Sequence, residues 1–390
     1  MLSIGLAGKP NSGKSTFFKA ATLADVEIAN YPFTTIDANH GVSYVKVRCP
    51  CIDLGVSGGC GRCTKGMRFV PVELIDVAGL VPDAHLGKGL GNEFLDSLRV
   101  AEVVIHVLDA SGATDAEGNS VGLGNYDPLS DVNFLKHEIG MWIFGILKRN
   151  WEKLMRSYKA MGGKPEAILA DQLGGTGVLE VHIRRALAEI KTDPGTWKDE
   201  ELEHFSTLLR EYSKPMIIAA NKVDIAPPGN IDRLMALPDP VVPVSAAAEN
   251  ALRMADKAGL IEYIPGDPDF RIVGDPNKAQ QAALEKMREL LQERGTTGVQ
   301  ECLNRAVFDL LDYMVVYPVE DESKFTDSKG VVLPEAFLMR RGSTAKELAY
   351  KVHSDIGDSF LFAIDARSKM RLGEKHELNE GDVIKIVSTK

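Results

Sequence analysis

The segment Gly8-Lys9-Pro10-Asn11-Ser12-Gly13-Lys14-Ser15 reads GxxxxGKS and directly follows the apolar run Ser3-Ile4-Gly5-Leu6-Ala7. A short buried strand, a glycine loop and a helix in that order make a cradle for a polyphosphate. The glycines let the backbone curl so that successive N–H groups point inward. The helix from about Lys14 to Leu23 adds the positive end of its dipole to the same anion. Gly8, Pro10, Asn11, Ser12, Gly13, Lys14, Ser15 and Thr16 are the nucleotide-binding residues read from this stretch. Lys14 reaches the β and γ phosphates and has a catalytic part; Ser15 gives its hydroxyl to Mg²⁺. The rival reading is a glycine-rich turn with a chance lysine.

Three later segments weigh against chance. Asp76-Val77-Ala78-Gly79 follows the strand Phe69 to Ile75, where a carboxylate can hold the Mg²⁺ shell through a water and the Gly79 amide can face a γ-phosphate. Asn221-Lys222-Val223-Asp224 follows the strand Pro215 to Ala220. The Asp224 carboxylate can accept two hydrogen bonds from guanine N1–H and its N2 amino group, donors that adenine lacks. Ser245-Ala246-Ala247 follows the strand Val241 to Val244, and its backbone can support the base carbonyl. Each short match alone is weak, but their order after β-rich runs is not. The chain reads as a guanine-nucleotide-binding domain for GTP and GDP with Mg²⁺.

Asn30-Tyr31-Pro32-Phe33-Thr34-Thr35, then Asp76-Val77-Ala78-Gly79-Leu80-Val81-Pro82 and Gly87-Lys88-Gly89-Leu90-Gly91-Asn92-Glu93-Phe94-Leu95, resemble the Obg family, and within it the YchF-related, Obg-like branch. The resemblance implies that Thr35 is the switch I threonine that closes on Mg²⁺ and the γ-phosphate. It also implies that switch II lies within Asp76 to Phe94, and that the protein associates with the ribosome. Some members of the branch carry NxxE in the base-reading loop and prefer ATP. This chain keeps Asp224, which favours GTP and leaves ATP as the alternative.

At 390 residues the chain exceeds one ordinary core. A content of 44% hydrophobic and 26% charged residues is that of a globular protein. No apolar run reaches the roughly 18 residues of a membrane span, so a soluble, cytoplasmic protein without membrane partners is expected; a monomer is the expected oligomeric state. A net charge of −10 argues against general coating of nucleic acid, while local basic faces stay open. The expected fold class is α/β: a P-loop NTPase (GTPase) domain over 1–270 with a helical insertion over 131–214. A helical connector, 271–316, and a C-terminal domain, 317–390, follow.

In the insertion, Asp131 is read as the cap of one helix that runs to the Gly162-Gly163 stop. Leu147, Trp151, Leu154, Tyr158 and Met161 form its packing stripe. Lys148, Arg149, Lys153, Arg156 and Lys159 form an opposite basic face, which suits either phosphate contacts or plain solvation. Further helices are expected over Val181–Lys191, Glu200–Tyr212, Pro276–Arg294 and Thr297–Met314. The C-terminal pattern has a strand at Ala336–Met339, a capping box at Thr344-Ala345-Lys346-Glu347, a strand near Ser359–Asp365 and a turn and strand over Leu378–Val387. It looks like a TGS domain of ubiquitin-like β-grasp shape, an interaction module with no catalytic constellation.

Four of the five cysteines cluster as Cys49-Pro50-Cys51 and Cys60-Gly61-Arg62-Cys63. They fall at the tip of a hairpin formed by the strands near Val42–Arg48 and before Asp76. Such a set suits a structural Zn²⁺, with disulfides or free thiols as the other readings.

Hydrolysis requires in-line water and neutralised equatorial oxygens. The residue after Gly79, where many GTPases hold a water-orienting glutamine, is Leu80, which cannot hydrogen-bond water. His85 is the nearest catalytic candidate, against a surface histidine with no role. Slow turnover is expected, raised by a partner's arginine or by K⁺ near Asn11. The reading is a slow GTPase that acts as a translation-associated switch and binds the ribosome, ribosomal RNA or tRNA. An ATP-hydrolysing Obg-like protein with a regulatory role, or a nucleotide-gated RNA-binding scaffold, is the alternative.

Overall fold

The computed structural model describes residues 1–22, 39–56, 59–77, 97–161 and 164–389. Its main sheet contains β1 (Ser3–Ala7), β2 (His40–Arg48), β3 (Met67–Asp76), β4 (Val103–Asp109), β5 (Met216–Asn221) and β6 (Val241–Val244), in the order β2-β3-β1-β4-β5-β6. All neighbours are parallel except β2 and β3. β1, β4 and β5 are buried along their whole length, the mark of parallel strands covered on both faces. From β1 the chain goes by way of the edge strand β2 to β3 on one side and then to β4 on the other. The carboxyl ends of the parallel strands therefore share one rim beside a reversal of strand order, where open α/β sheets bind ligands.

The β2–β3 hairpin pairs in unbroken register from His40↔Ile75 to Arg48↔Met67, with the cysteines at its tip as expected. β2 is the sheet's edge, and it does not face solvent bare. Asn304 accepts the Lys46 N–H and donates to the Lys46 carbonyl, both at 2.9 Å, and Gln300 donates to the Tyr44 carbonyl at 2.9 Å. These side chains satisfy edge groups that would otherwise template another strand.

After β1 the helix α1 (Lys14–Thr22) opens. Among the described residues, five α-helices then separate β4 from β5: α2 (Leu129–Lys148), α3 (Trp151–Met161), α4 (Pro165–Gln172), α5 (Glu180–Ile190) and α6 (Asp199–Ser213). The single long helix expected from Asp131 is two helices, broken at Arg149-Asn150, and its expected stop at Gly162-Gly163 lies outside the described residues. Asp131 does not cap; it is buried in the first turn of α2 and paired elsewhere. Leu147, Trp151, Leu154 and Tyr158 still pack into one apolar cluster with Phe205 and Leu209 of α6. The break splits the basic face: Lys148 pairs with Asp199, and Lys153, Arg156 and Lys159 are exposed on α3. The helix α4 was not legible in the sequence pattern.

Beyond β5 come α7 (Pro228–Met235), α8 (Ala246–Lys257), the short pair β7 (Ile261–Glu262) and β8 (Arg271–Ile272), α9 (Lys278–Arg294) and α10 (Val299–Arg305). Asn277 caps α9 and Gly295 ends it in a left-handed turn. The helix expected over Thr297–Met314 ends earlier, in a wide turn over Ala306–Leu310. Tyr313 and Met314 instead open β9 (Tyr313–Val319), because the apolar run there alternates between two faces.

The C-terminal sheet holds β9, β10 (Phe337–Arg340), β11 (Phe360–Asp365), β12 (Arg371–Leu372) and β13 (Val383–Ser388) in the order β10-β9-β13-β11-β12, with β9 and β13 parallel. The helix α11 (Ala345–Val352) starts at the expected capping box, and α12 (Ser354–Asp358) follows. Met314 and Val316 of β9 join Ala345 and Leu348 of α11 in one core. The alternate residues Val315, Tyr317 and Val319 join the core beneath the main sheet.

Candidate functional site

β1 delivers the phosphate loop to the carboxyl rim, and the loop's shape follows from close approach. A Cβ on Gly8 would stand 2.3 Å from the Val107 carbonyl oxygen. Gly13 has φ +92°, and a Cβ there would meet Asn221 Nδ2 at 2.2 Å. Both positions demand glycine. Asn11 also adopts a left-handed conformation, φ 61°, which asparagine tolerates. The Phe17 N–H bonds to the Gly13 carbonyl at 2.9 Å and starts α1, while Ser15 stays exposed at its first turn and Thr16 half-buried. Lys14 pairs with Asp76, the carboxylate that ends β3 beside Leu6 of β1.

The base-reading loop is fastened to that cradle. Asn221 donates to the Ser12 carbonyl at 3.0 Å and accepts the Ala246 N–H at 3.1 Å. One side chain thus joins the phosphate loop, the NKVD turn and the segment Ser245-Ala246-Ala247. Lys222, at φ 64°, donates to the Asn11 carbonyl at 2.8 Å and to Asp109 at 2.9 Å. Asp224 and Ala247 are exposed on the same rim, while Ser245 and Ala246 are buried. Below them the Ser245 N–H bonds to the Thr297 carbonyl at 2.9 Å. Thr35, Gly79, Leu80 and His85 lie outside the described residues.

Two parts of the site escaped the sequence reading. Lys9, an unspecified position of the motif, is buried. Its ammonium lies 2.8 Å from Asp131 and from the Thr114 carbonyl, and 3.9 Å from the centre of the Tyr126 ring. Asn11 donates to the Gly118 carbonyl at 3.0 Å. The glycine-rich loop after β4 is therefore bolted onto the phosphate loop from outside. Asp109, at the end of β4, is the second. Burial works to raise its carboxyl, but hydrogen bonds from Ser111 and Lys222, with the Lys222 charge, outweigh burial and hold it below the usual range. The apolar run that made β4 legible carried no sign of these tertiary partners.

At the hairpin tip, Cys49, Cys51, Cys60 and Cys63 converge, with all four sulfurs within 4.8 Å of one another.

A doubly wound sheet whose carboxyl rim gathers a phosphate loop, a strand-end carboxylate and an NKxD turn defines a P-loop nucleotide-binding protein of the GTPase class. Family models agree: a 50S ribosome-binding GTPase model matches residues 3–130, and an Obg-like GTPase YGR210-like, G4 motif-containing domain matches 219–321. A TGS domain matches 329–388. The chain is 50% identical over its full length to an uncharacterised GTP-binding protein of Methanocaldococcus jannaschii, covering 99% of that protein. It is 30% identical to the ribosome-binding ATPase YchF of Haemophilus influenzae, over 67% of this chain and 69% of that one. The crystal structure of a GTP-binding protein from Pyrococcus horikoshii OT3 superposes over the whole of both chains with a TM-score of 0.80 at 42% identity. The chain belongs to the YchF-related branch of the Obg family and carries a C-terminal TGS domain. Among the described residues no helix is long and apolar enough to cross a membrane.

Proposed function

We propose that the protein binds GTP in preference to ATP, hydrolyses it slowly, and acts as a nucleotide-dependent switch on the ribosome. The observation that carries the nucleotide reading is Asn221, which ties the phosphate loop at 3.0 Å and the Ala246 amide at 3.1 Å. That bridge sets the exposed Asp224 at a constant offset from the phosphate cradle, as recognition of one base and one polyphosphate together requires. A carboxylate there matches the paired donors of guanine and not adenine. The relative named as a ribosome-binding ATPase keeps ATP as the second reading.

Ser15 and Asp76 supply the hard oxygen donors that suit Mg²⁺. Mg²⁺, when bound, supplies positive charge to the β and γ oxygens. Lys14, now paired with Asp76, turns its ammonium to the same oxygens, and the loop amides add donors without reorganising. Thr35 and Gly79 close the cradle in this reading, and His85 is the candidate to orient water. With Leu80 in place of a hydrogen-bonding side chain the intrinsic rate is slow, and K⁺ beside Asn11 or a partner's arginine raises it. Ribosome binding rests on the relative's name, the matched ribosome-binding GTPase model and the exposed Lys153, Arg156 and Lys159.

Titration of the purified protein with GTP, GDP and ATP tests the reading. Tighter GTP than ATP binding is expected. The reverse order would overturn the role given to Asp224. Equal hydrolysis rates in K⁺ and Na⁺ would remove the cation from the mechanism.

A further inference from the structure

The loop joining β2 to β3 has little apolar content, yet Cys49, Cys51 and Cys60 are buried and Cys63 is partly so. The Cys49 and Cys60 sulfurs are 3.7 Å apart, and those of Cys51 and Cys63 3.6 Å apart. Four thiolates on Zn²⁺, each at about 2.3 Å, stand about 3.8 Å apart along the edges of a tetrahedron. Sulfurs in a disulfide stand about 2.05 Å apart. The backbone winds around the cluster, with the Ile52 N–H on the Cys49 carbonyl at 3.3 Å and the Val56 N–H on the Cys51 carbonyl at 3.1 Å. The Arg62 N–H points to the Cys60 sulfur at 3.4 Å and the Arg68 guanidinium reaches it at 4.0 Å. Such donors orient and stabilise metal-bound thiolates.

The opposite side of this cluster is the C-terminal domain. The same Arg68 donates to the carbonyls of Leu333 at 3.0 Å and Pro334 at 3.3 Å. Its guanidinium lies 6.0 Å from the centre of the Tyr317 ring. Tyr317 is buried, and its hydroxyl has no hydrogen-bond partner among the described residues. Cys49, Cys51 and Cys60 belong to one apolar cluster with Tyr317, Leu333 and Ala336. A loop too poor in apolar side chains to hold its own shape thus forms part of the wall against which a second domain packs.

We propose that the four cysteines hold one structural Zn²⁺, and that this centre is the seat on which the TGS domain rests against the nucleotide domain. Metal–thiolate bonds replace the missing core of the loop. Arg68 is the strut: it faces the excess negative charge of four thiolates on one divalent ion and grips two carbonyls of the neighbouring domain. Binding releases the remaining thiol protons, with no change in oxidation state.

The test uses the full chain purified without chelator. Elemental analysis is expected to find one zinc per chain, reduced by the double variant Cys51→Ser, Cys63→Ser. Amide hydrogen exchange is then compared before and after removal of the metal. Exchange over residues 331–336 should rise about tenfold or more, while β1 stays protected. Arg68→Met should keep its zinc and show the same faster exchange, which separates the seat from the metal and does not depend on a cysteine variant folding. Metal-free protein, with thiols free or linked in pairs, overturns the zinc site. Bound zinc with unchanged exchange, after both metal removal and Arg68→Met, overturns the seat.

Discussion

His106 lies in the middle of β4 with its Nδ1 buried and unpartnered among the described residues. Burial, then the charges of Lys136 and Lys9, lowers its imidazole from 6.5 to about 3. The unfolded chain takes up this proton as pH falls through 6.5, and the native state only near 3. Stability is therefore full above 6.5 and is lost as pH drops through that window, by up to about 1.4 kcal/mol per pH unit. Urea midpoints of His106→Leu should show a shallower loss between pH 6.5 and 4 than those of the parent; parallel curves would remove His106 from the acid response. Asp224 poses a residue-scale question of recognition. Asp224→Asn replaces two charge-assisted hydrogen bonds to guanine with neutral or mismatched ones, so GTP binding measured by calorimetry should weaken by about 1–3 kcal/mol and ATP binding barely change. The role proposed for Asp224 is legible from its tetrapeptide. That of Lys9 is not, since its partners Asp131 and Thr114 are brought to it only by the folded chain.

At the scale of elements, helix periodicity survived even where helix continuity did not. The stripe Leu147, Trp151, Leu154, Tyr158 spans the break between α2 and α3 and still enters one core. The reason is that Arg149 keeps a helical backbone (φ −53°, ψ −32°) and the Asn150 carbonyl already accepts the Leu154 N–H of α3 at 2.9 Å, so the phase carries across. Interruption also redistributed charge, with Lys148 turned to Asp199 and Lys159 donating to the Gly195 carbonyl at 3.1 Å. If the basic face across the α2–α3 break meets ribosomal RNA, Arg149→Glu, Lys153→Glu and Arg156→Glu together abolish co-sedimentation with ribosomes and leave nucleotide affinity unchanged. Parent binding should fall steeply with added salt as counterions are released. Salt-insensitive association unaffected by the triple reversal would reduce the face to solvated surface.

For the whole molecule, the C-terminal domain is less separable than a module appended by a linker. One face of β9 packs on its own helix through Met314 and Val316, and the other enters the main core through Val315, Tyr317 and Val319. Deleting residues 313–390 uncovers Val45, Leu303 and Val307, which share that core. At about 25 cal/mol per Å² of apolar surface, several side chains newly exposed remove a large share of a marginal stability. The truncated chain is expected to melt well below the full protein and to aggregate on purification. Equal melting temperatures in calorimetry would mean that the two domains are energetically independent.

The sequence by itself determined what short-range chemistry can encode. Two glycines with four residues between them, a lysine and a serine define a phosphate loop because the backbone path there tolerates little else. Short apolar runs mark the strands, and Thr344 with Glu347 defines the start of α11 through two reciprocal hydrogen bonds. Tertiary structure alone decided which strand ends meet on one rim, that Asn221 rather than a backbone group links the two halves of the site, and that Arg68 faces both the cysteines and Leu333. Apart from Arg68 on Cys60, those contacts join residues 25 to 265 positions apart, and their energy exists only once the sheet order has closed the distance.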